Sequence, residues 1–435
     1  MRICKPLLAT AAVIGALFLG SRATAADYAV GQLDMGRQEA MPALDAPIEG
    51  GVEPSALYPD NPWGPPPPGA PACEAASGCC SICGQGSCCP PCWYLEEGVR
   101  VLTRTRAGHQ RLAERAGTIA PRTALTTKSD SFDIAPGYFT TFGRYLGHDA
   151  ADNDRYIEFS FWGLNQWDLD ACVNSAERVD YRRPSDDALV FRGGELRTAF
   201  PLDIVGFNGA DSIVVNYDHE INNVELNYWI RPRARADRLV LEPNGRWVRQ
   251  CQTGCFISYV IGLRMLAIDD GFALRSQGQI DIPGGGNNVA VAGDYRIDTD
   301  NTLLGFQLGT DFEFRQCRWS WGGRFRAAPF VNFADQESRI FADRLNAAGN
   351  GMGTAVALSR KDGEEGAAAV IELGLMANYR LAPHCLVGLG YDVMWVPGVA
   401  LAPDQLDYNL NGCTQLNNGA TLFYHGLTMS MKWAW

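Results

Sequence analysis

The sequence predicts an all-β fold, a transmembrane antiparallel up-and-down β-barrel of about twelve strands (range about 10–14). Three observations predict it. From Trp93 onward the chain falls into segments with strict two-residue alternation. The connections between them alternate between short and long. The chain ends on an alternating aromatic strand.

Period-2 alternation puts successive side chains on opposite faces of a strand. In Phe256 to Ala267, Ile257, Tyr259, Ile261, Leu263 and Met265 alternate with Ser258, Gly262 and Arg264. In Leu303 to Arg315, Leu304, Phe306 and Leu308 alternate with Gly305, Gln307, Gly309, Asp311 and Glu313. Residues 222–231 and 370–381 behave likewise. A soluble sandwich also alternates, but it uses strands nearer five or six residues. Longer strands with one apolar and one Gly/charged series suit lipid outside and a polar lumen inside.

Ala382-Pro383-His384 and Gln316-Cys317-Arg318 are tight turns, while 269–302, 334–366 and 397–421 read as long loops. Outer-membrane barrels place short turns on the periplasmic side and long loops outside. Eleven segments are recognisable, near 93–104, 131–145, 155–167, 211–219, 222–233, 255–268, 303–315, 319–333, 367–381, 385–396 and 422–434. Single-chain barrels have even strand numbers, so a twelfth is expected at 188–199. Asp218-His219-Glu220 then falls at the tip of a hairpin spanning 211–233.

Residues 1–25 read as a signal peptide: Arg2 and Lys5, the apolar stretch Leu7 to Gly20, then Ala23-Thr24-Ala25. Removing them takes away three basic residues and moves the net charge from −12 to about −15, which argues against nucleic acid as a partner. No later run reaches about 18 apolar residues, which excludes a multi-helix membrane protein. Residues 26–72 form a Pro/Gly-rich segment expected to be a disordered linker. Residues 73–92 are cysteine-rich, with Cys73, Cys79, Cys80, Cys83, Cys88, Cys89 and Cys92 as disulfide candidates in an exported chain. Their spacing is too short for a usual zinc ribbon. The barrel is expected to occupy 93–435.

Several strings resemble a known family: Asn223-Val-Glu-Leu-Asn227, Gly262-Leu-Arg-Met265, Asn301 to Gly309, Glu372-Leu-Gly-Leu375 with Tyr379-Arg-Leu381, and Gly398 to Gln405. In order and spacing they are similar to the putative beta-barrel porin-7 family of planctomycete outer membranes, over about Cys92 to Trp435. The resemblance implies an outer-membrane β-barrel and carries over no catalytic residues. Trp433 and Trp435 resemble the C-terminal signal read by barrel-assembly machinery.

No P-loop, dinucleotide fingerprint, calcium loop or histidine ligand pair stands out, so neither metal nor cofactor is expected. The alternation directs Arg100, Arg104, Arg231, Arg264, Arg324, Arg326, Arg380 and Lys432 into the lumen. Beside them come Glu96, Glu158, Glu225, Asp311, Glu313, Glu372 and Asp392, so the two signs nearly balance. Such a lumen can stay open or fill with ion pairs. The first expectation is a porin-like passive diffusion channel for small hydrophilic solutes, not an enzyme, in the cell outer membrane. Outer-membrane lipid and the assembly machinery are its expected partners. The alternative is a closed structural or adhesive surface barrel, and a remote one is a hydrolase using Asp218-His219-Glu220.

Overall fold

The structure is a computed structural model. It describes residues 92–435 except 106–107, 117–121, 130–131, 184, 186, 234–237, 252, 284–285, 383 and 411–414. The expected signal peptide, linker and six of the seven clustered cysteines lie outside the described residues. No helix among the described residues is long and apolar enough to cross a membrane.

From the short-turn end, β1 (Trp93–Arg104) runs to the loop end, where β2 (Arg111–Arg115) and β3 (Arg122–Thr126) form a hairpin. β4 (Ala135–His148) returns and β5 (Asn153–Asn174) goes back. In the turn between them Asp149 accepts the N–H groups of Asn153 and Ala151, both at 2.9 Å, and bonding of that kind holds its carboxyl down at about 2. At the loop end follow β6 (Arg178–Arg182), β7 (Leu189–Gly194), β8 (Leu196–Arg197) and β9 (Asn208–Ala210). β10 (Ser212–Pro232) descends to the small hairpin β11 (Arg238–Leu241) and β12 (Trp247–Gln250). The long strands β13 (Gly254–Ile282), β14 (Gly286–Arg315), β15 (Trp319–Ala342) and β16 (Val356–Ala382) follow. β17 (Cys385–Val399), a 3₁₀ turn at Ala402–Gln405 and β18 (Ala420–Ala434) complete the chain.

Among the described residues, ten antiparallel strands close a ring in the order β10, β5, β4, β1, β18, β17, β16, β15, β14, β13 and back to β10. The seam between the first and last strands is sealed where Trp93 and Trp435 exchange N–H···O bonds of 2.9 Å. A ring of ten lies inside the expected range but below twelve, for two reasons. Segments 211–219 and 222–233 are one strand, β10. The stretch 188–199 supplies β7 and β8, which lie outside the ring.

Two of the three supposed long loops also prove to be largely strand: 269–302 is the upper part of the β13/β14 hairpin, and 334–366 is β15 and β16 around a loop at 343–355. At 29 and 30 residues, β13 and β14 are nearly three times the roughly 9–11 residues that a tilted membrane strand needs.

On the outer surface a cross-strand row runs Phe142, Phe159, Leu226, Leu263, Phe306. Phe306 is 52% exposed, a cost in water and a match for lipid. Toward the loop end the surface changes character within a few residues. Glu220, Asp269, Asp300 and Asp335 stand directly opposite one another on four neighbouring strands, forming an acidic collar. At the short-turn end exposed Trp319, Trp321, Trp433 and Trp435 form the aromatic girdle expected at a membrane boundary.

Inside, the loop end is filled like a soluble protein. The sheet of β3, β2, β8 and β9 lowers Leu112, Leu125 and Leu196, with Phe132, Phe200 and Phe207, onto inward Ile213, Val215, Phe272, Leu274 and Ile297 of the wall. A bulge at Leu164, whose N–H donates to Asn222 Oδ1 at 3.1 Å, moves β5 from even to odd inward positions. The shift buries Asn165, which donates to the carbonyls of Arg100 and Ala135 and so ties β5 to β1 and β4.

Candidate functional site in the barrel lumen

Below the apolar plug the inner face becomes charged. Arg264 of β13 donates from Nη1 to Glu372 of β16 at 2.9 Å and from Nε to Asn223 of β10 at 2.7 Å. Arg100 of β1 reaches the other oxygen of Glu372 at 3.1 Å and Asp392 of β17 at 3.0 Å. Arg326 of β15 pairs with Glu225 at 3.0 Å, and Glu225 lies 3.6 Å from Arg264. Arg100, Glu372, Arg264, Glu225 and Arg326 therefore form one chain of alternating charge that crosses the lumen between strands distant in the ring.

Its members are shielded from bulk solvent. The side chains of Arg264 and Glu372 are 0% and 2% exposed. A charge taken out of water is tolerated only with its partners and remaining hydrogen bonds in place. The carboxylates have such bonds: Gln307, Asn223 and Asn227 donate to Glu225 at 2.7, 2.9 and 2.9 Å, and Thr428 donates to Asp392 at 2.6 Å, while Arg326 Nε has no hydrogen-bond partner among the described residues. The Arg100 guanidinium also lies 4.6 Å over Trp162.

Toward the short turns the charges loosen. Glu158 accepts from Tyr94 at 2.5 Å and from Arg231 at 3.4 Å. Arg231 is cradled over Trp229 and Tyr156, 4.5 and 5.0 Å from their ring centres. Tyr94 fits because its direct cross-strand partner on β4 is Gly143, where a Cβ would collide with its ring. Arg324 and Asp311 approach only to 3.8 Å, and Lys432 and Glu96 to 3.6 Å. Glu313 pairs with its neighbour Arg315 at 2.6 Å. Arg380 occupies the inner row of β16 near this end.

A second buried cluster joins residues that the sequence did not bring together. His219 Nδ1 is 2.5 Å from Asp270, and its Nε2 is 2.7 Å from the Tyr424 hydroxyl. Asp270 also accepts from Tyr217 at 2.8 Å and from Arg104 at 3.2 Å. This corrects the hairpin-tip reading of Asp218-His219-Glu220. His219 points inward from the middle of β10 and is fully buried, while Asp218 and Glu220 point outward. A general base must reach a substrate proton, and this imidazole faces only protein. Asp270 was missed because it fell in a supposed loop. The alternation Ile268, Asp270, Phe272 was the available signal.

Cys251 and Cys317 form a disulfide joining the segment before β13 to the β14/β15 turn, with Cα atoms 5.2 Å apart. Among the described residues no group of His, Cys, Asp and Glu side chains suits a metal ion.

The profile of the family described as putative beta barrel porin-7 matches residues 126–434. The chain belongs to this family. With the family's barrel go the apolar outer row and the aromatic girdle, and the chain is an outer-membrane β-barrel protein. No curated protein sequence matches it. Among solved structures, the outer membrane protease OmpT from Escherichia coli is 12% identical, with a TM-score of 0.32 over 79% of this chain and 97% of that one. A TodX mutant monoaromatic hydrocarbon channel is 9% identical, with a TM-score of 0.21 over 80% and 91%. Likeness at that level assigns this porin-7 family barrel neither activity.

Proposed function

We propose that the chain works as a closed outer-membrane barrel, a surface protein anchored by its wall, with the projecting strands and cap as its working parts. The observation that supports this reading is the burial of the Arg100–Glu372–Arg264–Glu225–Arg326 chain. A water-filled pore would hydrate these side chains, whereas they are buried. Above them the apolar plug blocks the path a second time. The family description favours passage of solutes, which would require both the ion-pair chain and the cap to be displaced. No covalent chemistry is proposed for His219 and Asp270.

Planar-bilayer recording of the refolded full chain tests the reading, with insertion checked by protease protection. Silence at moderate voltages is expected. Steady open steps would replace the closed barrel with a diffusion channel.

A further inference from the structure

The connection between β10 and β13, residues 233–253, is far longer than the other described turns at its end, 149–152 and 316–318. It carries the two-stranded sheet of β11 and β12, with which no other described strand pairs. A lone hairpin is marginal in water. This one also carries apolar groups at its tip: Leu241 and Trp247 are direct cross-strand partners, 52% and 60% exposed, with Val240 exposed beside them.

Its place and charge point to what covers it. The hairpin leaves the wall next to the pair Ile230–Tyr259, at the end that carries the tryptophan girdle. Residues 231–253 hold six arginines against Asp237 and Glu242, in a chain whose net charge is −12. Arg231 and Arg233 are already paired with Glu158 and Asp152, and Arg246 stands exposed at the tip. Tryptophan favours the headgroup level of a bilayer, and basic side chains favour anionic headgroups.

We infer that the β11–β12 hairpin is a membrane-interface anchor. Leu241 and Trp247 enter the headgroup layer of the leaflet on the short-turn side, and Arg246 beside them holds anionic phospholipid. The anchor rests on the barrel's membrane setting and is independent of whether the lumen is closed.

Hydrogen exchange read by mass spectrometry over 238–250 tests it, on the full chain in amphipol, in phosphatidylcholine nanodiscs and in nanodiscs with about one third phosphatidylglycerol. Exchange should slow by about tenfold in the anionic nanodiscs relative to amphipol. Trp247→Glu should abolish most of the slowing, and Arg246→Glu should narrow the difference between the two lipids. Both positions are exposed, and the heat-modifiable gel shift reports that the barrel itself remains folded. Equal exchange in all three media would overturn the anchor. So would slowing already present in amphipol, slowing indifferent to lipid charge, or slowing only after a soluble envelope extract is added.

Discussion

The strands of this barrel are inverted at the acidic collar. On β10, above it, Ile213, Val215 and Tyr217 face inward while Asp218 and Glu220 face outward. Below it, Asn223, Glu225 and Asn227 face inward while Val224 and Leu226 face outward. β14 repeats the change, from Tyr295 and Ile297 inside with Asp298 and Asp300 outside to Gln307 and Asp311 inside with Phe306 and Leu308 outside. The pleat never changes parity on these strands; only the medium outside does. Where water surrounds the wall the apolar series must be internal, and where lipid surrounds it the apolar series must be external.

Four positions, inside and outside, above and below, can break this comparison. The largest effect is expected inside and below. Glu372→Ala leaves Arg100 and Arg264 facing each other without their shared carboxylate, and breaking such a buried pair costs about 3–5 kcal/mol. Asp311→Asn removes a carboxylate from a pair whose side chains are 28% and 20% exposed, and should cost under about 1 kcal/mol. Guanidinium unfolding of the vesicle-inserted protein measures both. Equal costs would mean that the lumen is wetted throughout.

Outside and below, Leu308→Arg sets a guanidinium against the hydrocarbon, for about 2–4 kcal/mol at the midplane. The yield of folded protein in vesicles reports it. If the variant folded as well as the parent, the outer face of β14 would not be lipid-facing at Leu308.

Outside and above, the effect is smallest and has the opposite sign. Asp300 stands between Asp269 and Asp335, and like charges directly opposite are unfavourable by roughly 0.2–1 kcal/mol. Asp300→Asn should therefore raise the melting temperature slightly at low salt, with the gain shrinking as salt screens the collar. A salt-independent loss would show that the collar carboxylates are stabilised by something other than water.

The same inversion explains what could be read without the structure. Where lipid lies outside, the contrast between faces is high, and the inward placement of Glu225, Arg264, Glu372 and Asp392 was legible. Above the collar the polar series moves to the outer face. A run such as Asp218-His219-Glu220, or Asp298-Thr299-Asp300, then looks like a turn or loop although the strand continues. Splitting β10 in two and truncating β13 and β14 both follow from that loss of contrast.

By itself the sequence determined the class of the fold and the two-residue alternation of its membrane strands. These are local properties, written in side chains two residues apart. The tertiary structure decided the count of ten and the apolar plug. It also decided the partner of each charge: Arg264 meets Glu372, 108 residues away, because ring closure brings their strands across one lumen. Whether a buried charge is hydrated or paired depends on every strand around it, and no alternation within a single strand carries that information.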